Sequence, residues 1–333
     1  MTVTRTFLVT GGAGFIGSHL VERLLSRGDS VVVLDDLSTG RRANLDDVAA
    51  SPRLTFVEGS VCDAATVDRL CARVDGVLHL AAAVGVRLVV EEPVRTLDVN
   101  VRGTETVLAA CGRRGTPVLF ASSSEVYGKN TRPPFREDDD PVLGPVSKPR
   151  WSYAVSKLLG EHTALAWHRE HGLPVRIVRF FNTAGPRQVG DHGMVLPRFV
   201  EQALAGGPIT VHGDGRQSRA FCHVDDTVEA VVRLLDAPGA VGRAVNVGNP
   251  AETQILTLAE RVRDAVRGTS GSLVPIDHVP HAAAYGADFE DLGRRAPDVS
   301  RLRTLTGFAP SRTLDEIVAD AVRWARTARI GAA

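Results

Sequence analysis

The sequence predicts an α/β fold built on a doubly wound parallel sheet, with a smaller, partly interleaved C-terminal domain. Three observations carry that expectation. Through the first half, short β-branched apolar runs alternate with helix-length amphipathic segments. A glycine-rich turn follows the first of those runs, and after Phe181 the elements become shorter and less regular. A length of 333 residues, 44% hydrophobic and 23% charged, is ordinary for a globular chain with ample core.

Taken in order, the strands are expected at Thr6–Thr10, Ser30–Asp35, Leu54–Glu58, Gly76–Leu80, Pro117–Ser122 and Pro174–Phe181. Helices are expected at Phe15–Arg27, Ala65–Arg73, Val94–Arg113 and Trp151–His171, with Gly or Pro near their ends. The stretch Lys129–Pro149, rich in proline and acidic residues, reads as a surface loop near the carboxyl ends of the strands. Beyond it, Leu196–Ala205, Asp225–Leu235, Leu258–Val266 and Thr313–Ala325 read as helices. Ile209–His212 and Ala244–Val247 read as strands.

Composition narrows the function classes. The 39 basic and 39 acidic residues cancel, leaving no excess to neutralise nucleic-acid phosphates, so no nucleic-acid partner is expected. No apolar run reaches membrane-spanning length, and Met1 leads directly into a strand-like TFLVT without a signal peptide. Cys62, Cys71, Cys111 and Cys222 are scattered without a CxxC pair. Neither a metal site nor a disulfide framework is expected, and a cytoplasmic location follows.

The turn TFLVTGGAGFIGSHL sets Gly11, Gly14 and Gly17 between a strand and a helix. Glycines there permit a tight turn and close approach of a pyrophosphate to the helix N-terminus, whose free N–H groups favour anions. The spacing is G-x-x-G-x-x-G. Asp35, at the end of the second strand, is placed to accept hydrogen bonds from ribose hydroxyls, which favours NAD over NADP; Arg41 and Arg42 leave a 2′-phosphate conceivable. The fold is therefore expected to be Rossmann-type. Residues 1–183 would form the NAD-binding domain, rejoined by about 224–248, and 184–333 the second domain.

Tyr153 and Lys157 form Y-x-x-x-K at helical spacing, so both side chains share one face. A phenol with an ordinary pKa near 10 is a poor base at neutral pH. A neighbouring ammonium, with the positive nicotinamide, lowers that pKa and makes a usable proton acceptor. ASSSEVYG ends another strand and brings Ser122, Ser123, Ser124 and Glu125 to the same edge.

Together these residues resemble the extended short-chain dehydrogenase/reductase family, in its nucleotide-sugar-modifying branch. The resemblance runs through TGGAGFIGSHL, LDDLSTG, LHLAA, NVRGT, SSSEVYG, YAVSK, RFFNTAGPRQ, HGDGRQSRAFCHVDD and RRAPD. It implies NAD contacts from Gly11, Gly14, Phe15, Ile16, Gly17, Asp35 and Asp36. It implies further contacts from Ser60, Val61, Leu80, Ala81, Ala82, Asn100, Ser122, Tyr153 and Lys157. For the substrate it implies Arg87, Ser123, Glu125, Tyr153, Asn182, Val195, Thr210, His212, Arg219 and Arg295, with Asn182, Arg219 and Arg295 on the nucleoside diphosphate. Catalytic roles fall to Tyr153, Lys157, Ser123, Ser124, Glu125 and Arg295.

Within the branch, simple 4-epimerases usually lack an acid at the position of Glu125, and 4,6-dehydratases carry Asp-Glu where this chain has Ser124-Glu125. The Ser-Glu pair with NVGNP and RRAPD is most similar to UDP-glucuronate decarboxylases, which make UDP-xylose. That similarity implies NAD-dependent decarboxylation through a 4-keto sugar, with some release of the 4-keto pentose. The alternatives are a UDP-sugar 4-epimerase, a 4,6-dehydratase, and a non-catalytic NAD-sensing protein. The chain departs from the subgroup at Ala81–Arg87 (AAAVGVR in place of a PASP-like segment), at Ala184, where an aromatic ring is usual, and at Ser60, where an aspartate often meets adenine. The family also implies a homodimer through a four-helix bundle, for which Ala109, Ala110, Leu158, Leu159, Leu165 and Ala166 are the expected apolar surface.

Overall fold

Seven parallel strands make the central sheet of the computed structural model, which describes residues 4–190, 193–270, 273–280, 283 and 293–330. The first six strands are β1 (Thr6–Thr10), β2 (Ser30–Asp35), β3 (Leu54–Glu58), β4 (Gly76–His79), β5 (Val118–Ser123) and β6 (Val175–Phe180). Strand Arg243–Val247 returns beside β6, so the order across the sheet is β3, β2, β1, β4, β5, β6 and then Arg243–Val247. The β-branched runs of the inner strands are buried because helices cover both faces, whereas edge strand β3 is only half-buried.

On one face, α1 (Phe15–Ser26) and helix Val224–Leu235 pack through Leu20, Leu24, Val228 and Val231. On the other lie α2 (Ala64–Cys71), α4 (Pro93–Gly112) and α5 (Trp151–His171), contributing Val67, Leu108 and Ala164. The strand order reverses between β1 and β4, and a cleft opens there at the carboxyl ends of the strands. A separate core of Phe199, Leu258, Val262, Ile317 and Val318 holds the later helices together. No helix among the described residues is long and apolar enough to cross a membrane.

Two expectations need correction. A short helix, α3 (Val86–Glu91), precedes α4 where no helix was expected; Gly85, at φ +124°, turns the chain into it. The Lys129–Pro149 loop is not wholly superficial. Phe135 is buried and stacked on Tyr127 with ring centroids 4.9 Å apart, and Glu137 accepts a hydrogen bond from the Asn246 backbone N–H. The loop is thereby pinned over the sheet between β5 and Arg243–Val247.

The apolar surface expected on α4 and α5 also divides differently. Ala110 is fully buried and Leu165 packs against the core beside the sheet, whereas Leu159 and Ala166 are exposed. Val94 and Leu97 on α4, and Val155 on α5, complete an outward apolar face that sequence reading did not single out.

Candidate active site

The cleft has a cavity volume of ≈ 390 Å³ and runs from the glycine turn to the start of α5. At its inner end Gly11 has φ +71°, and a Cβ there would come within 2.8 Å of the Ala81 backbone nitrogen. A Cβ on Gly17 would lie 2.1 Å from the Gly11 carbonyl oxygen. The turn is therefore closed to side chains, and the backbone itself faces the cleft beside Gly14, Phe15 and Ile16. That is the cradle a dinucleotide pyrophosphate needs at the N-terminus of α1.

Asp35 ends β2 and lines the cleft with Asp36. Its carboxylate accepts from the Ala13 and Leu37 N–H groups, each at 2.9 Å, which anchors the acid at the mouth of the glycine turn. Burial raises its pKa, and those two N–H groups oppose the rise. Val61, Leu80, Ala81 and Ala82 line the same stretch. Ser60 does not: its hydroxyl accepts from the Cys62 N–H and caps a local turn. Asn100 also sits behind the lining, where its amide pairs with both the N–H and C=O of Ala83 and donates to the Ser156 hydroxyl. It shapes the loop after β4 without facing the cleft.

Further along, α5 presents Tyr153 and Lys157 one turn apart, both lining the cleft. The Lys157 ammonium donates to the Ala121 carbonyl of β5 at 2.8 Å and lies 6.0 Å from the Tyr153 ring centre. Burial lowers the Lys157 pKa to about 8, with the Glu161 carboxylate opposing the drop. Burial drives the Tyr153 phenol above its ordinary value, the Ser123 hydroxyl lowers it, the Glu125 charge raises it and Arg295 lowers it. The free protein therefore keeps Tyr153 as a phenol, and a further positive charge is required to make it a base. Replacing Lys157 by Met should weaken NAD binding and move the acid limb of the turnover profile to higher pH, because the phenol loses its nearest fixed ammonium. Titration of NAD and a pH series check both effects; unchanged NAD affinity would contradict the first.

Ser122, Ser123, Ser124 and Glu125 reach the cleft from the end of β5. Ser123 caps the following turn by accepting from the Glu125 N–H, while Ser122 donates to Glu161 at 2.5 Å. The Glu125 carboxylate pairs with Arg295 and, at 3.4 Å, with Arg150. Burial would raise its pKa, but the Arg295 and Arg150 charges outweigh that and hold it at about 2. Glu125 is thus ionised in the free protein. Asn182 stands at φ +33°, a strained conformation that asparagine tolerates, and spans the Ala220 carbonyl and the Arg295 guanidinium.

Other expected substrate residues lie elsewhere. Thr210, in strand Ile209–His212, is occupied by Arg198 and Gln202, and neither it nor His212 lines the cleft. Val195 starts helix Val195–Leu204 just behind Met194, which does line it. Arg219 is buried and donates to the Ser218 carbonyl; it is off the lining yet close enough for its charge to lower the Glu125 pKa. The Arg87 side chain lies outside the described residues. Ala184 is buried in the second core with Leu196 and Phe199. Sequence reading missed Arg150 and Arg187, both on the lining. Arg187, at φ +69°, reaches Ser18 and Glu22 of α1 across the cleft.

Comparison with known proteins gives one consistent set of relatives. The model of the NAD dependent epimerase/dehydratase family matches residues 7–248. The chain is 38% identical over 320 residues to a UDP-N-acetyl-alpha-D-glucosaminuronate decarboxylase of Bacillus cytotoxicus, covering 96% of this chain and 97% of that one. It is 37% identical over 309 residues to UDP-glucuronic acid decarboxylase 1 of Arabidopsis thaliana, covering 93% of this chain and 67% of that one. Among solved structures it is similar to a Bacillus cereus UDP-glucuronic acid 4-epimerase in complex with UDP-glucuronic acid and NAD. That match has a TM-score of 0.85 at 27% identity over 97% of this chain and 99% of that one. The dTDP-glucose 4,6-dehydratase DesIV of Streptomyces venezuelae, with NAD bound, matches with a TM-score of 0.85 at 33% identity over 98% of both chains.

Proposed function

We propose that this chain, which belongs to the NAD-dependent epimerase/dehydratase family, decarboxylates UDP-glucuronate to UDP-xylose through a 4-keto sugar. NAD is its cofactor, and the side-chain-free glycine turn beside Asp35 fits it. The observation that carries the reading is Glu125 beside Tyr153, held ionised between the guanidinium groups of Arg295 and Arg150. A neutral sugar has no need of that concentration of charge next to its 4-hydroxyl.

Bound NAD supplies the acceptor for the C4 hydride and returns that hydride at the end. Tyr153 takes the 4-hydroxyl proton, aided by Lys157 on the same helix face. Oxidation places a ketone β to the C5 carboxylate, so the C5–C6 bond breaks and its electrons pass to the 4-oxygen as CO₂ leaves. Protonated Tyr153 and the Ser123 hydroxyl hydrogen-bond the developing enolate oxygen; C5 then takes a proton from water, and Tyr153 returns its own proton to the 4-oxygen as the ketone is reduced. Ionised Glu125 is no proton donor in this state; it braces Arg295 on one side and Arg150 on the other.

Mass spectrometry after incubation with UDP-glucuronate tests the reading. Loss of CO₂ supports it, and an isobaric product would show 4-epimerisation in its place. The 38% identity to a decarboxylase of the N-acetylated uronate favours a second substrate, UDP-N-acetylglucosaminuronate, to be run beside the first. Glu125→Gln should still oxidise C4 but slow the later steps by about tenfold or more, because Arg295 loses its anchoring charge. A 4-keto sugar should then accumulate on rapid quenching; wild-type rates without it would make Glu125 a structural residue only.

The assembly we propose is a homodimer through α4 and α5, where Val94, Leu97, Val155 and Leu159 form an exposed apolar face. Light scattering should give twice the 35.5 kDa of one chain, and Val155→Glu with Leu159→Glu should halve it. A single-chain mass for the unaltered protein would remove the dimer.

A further inference from the structure

Three guanidinium groups gather around Glu125 in the cleft. Arg295 approaches Oε1, Arg150 approaches Oε2, and Arg219 adds a third charge within electrostatic reach. Arg295 is also held by Asn182, on the side of the cleft that leads to Ala220. Arg150 stands on the opposite side of Glu125. It is the residue just before α5, and its guanidinium lies over the Trp151 ring, 5.1 Å from the centre. Trp151 is itself immobilised: it is buried, and a Cβ on Gly144 would come within 2.0 Å of the indole nitrogen. The Arg150 side chain is 13% exposed and that exposure faces the cleft.

We infer that Arg150 recognises the carboxylate of the acidic sugar and so selects a UDP-uronate over the corresponding neutral UDP-sugar. The inference rests on the uronate reading above and names the residue behind it. Arg150 caps α5 with helical backbone angles, three residues and about 4.5 Å of helix rise before Tyr153, and both line the cleft. That distance suits a sugar whose 4-hydroxyl meets Tyr153 and whose carboxylate lies two carbons further on. At 3.4 Å the bond from Arg150 to Glu125 is long, and is readily exchanged for a shorter one to a substrate carboxylate. The planar fork of a guanidinium matches a carboxylate bidentately. A cation placed between Glu125 and the uronate also offsets the repulsion that two adjacent carboxylates would feel.

Calorimetric titration of the NAD-loaded protein with UDP, UDP-glucose and UDP-glucuronate tests this without relying on turnover. The unaltered protein should bind UDP-glucuronate more tightly than UDP-glucose. Arg150→Gln should weaken UDP-glucuronate roughly tenfold or more while leaving UDP and UDP-glucose within about twofold. Arg150→Lys, which keeps the charge but loses the fork, should recover part of the loss. If Arg150→Gln keeps the preference, or weakens all three ligands alike, Arg150 only braces Glu125 and the inference is overturned. Should the Gln variant fail to fold, the same two outcomes in Arg150→Lys decide it. An unaltered protein with no preference for the uronate would instead sink the functional reading itself, so the two failures are distinct.

Discussion

Tyr153→Phe should bind NAD and UDP-sugar nearly as the unaltered protein does, yet lose turnover by about two to four orders of magnitude. The substitution removes one oxygen and leaves the ring in its packed position on α5. Lys157 stays anchored to the Ala121 carbonyl, and the glycine turn proposed to cradle the pyrophosphate is untouched. What disappears is the acceptor for the 4-hydroxyl proton. Burial and Glu125 both raise the phenol's pKa, while Ser123 and Arg295 lower it, so its basicity is held back until the cofactor's positive charge arrives. The loss should therefore fall on kcat, with KM little changed. A variant retaining near-normal kcat would remove Tyr153 from the reaction, and one that lost NAD binding would show that its role is structural.

The sheet was legible because its physics is local. Runs such as Thr6–Thr10, Ser30–Asp35 and Val175–Phe180 are rich in β-branched and apolar residues, and a parallel sheet buries such runs on both faces. The glycine turn and the Tyr153–Lys157 pair were legible for the same reason, since each lies within one turn or one helix face. Helix α3 was not, because VRLVVE is rich in β-branched residues and gains its start only from the φ of Gly85.

Arg150 was hidden among many arginines; its one signal was its place three residues before Tyr153, just ahead of the helix that carries it. Thr210 and His212 illustrate the converse. A resemblance can place residues on the substrate, but only the fold shows that Arg198 and Gln202 already occupy Thr210. The buried polar face of α5 was illegible for a related reason. Ser156, Lys157 and Glu161 all point inward, so the helix has no clean apolar stripe to read.

Glu161→Gln should cost about 3–5 kcal/mol of stability, because it strands a buried guanidinium. Arg179, on β6, grips Glu161 with two parallel bonds of 2.9 and 2.6 Å, and the two side chains are only 10% and 4% exposed. Ser122 donates to the same carboxylate, and the remaining Arg179 nitrogen reaches the Tyr127 hydroxyl and the Glu137 carbonyl. Tyr127 in turn donates to Asn246 at 2.7 Å, so one chain of bonds ties α5, the end of β5, β6, the Phe135–Glu137 loop and strand Arg243–Val247 together. The two Glu161 carboxylate oxygens accept from the Ser122 hydroxyl and from two Arg179 nitrogens, and an amide offers only one acceptor oxygen for those three donors. Removing both charges, as Glu161→Gln with Arg179→Met, should restore much of the loss, which a double-mutant cycle in urea would measure. The same change reaches the active site. Glu161 opposes the drop in the Lys157 pKa, which burial sets at about 8, so without it the ammonium loses its proton at lower pH. The basic limb of the turnover profile should move downward in pH accordingly. A stability loss under about 1 kcal/mol would mean that water reaches Arg179, and that the pair behaves as an exposed one.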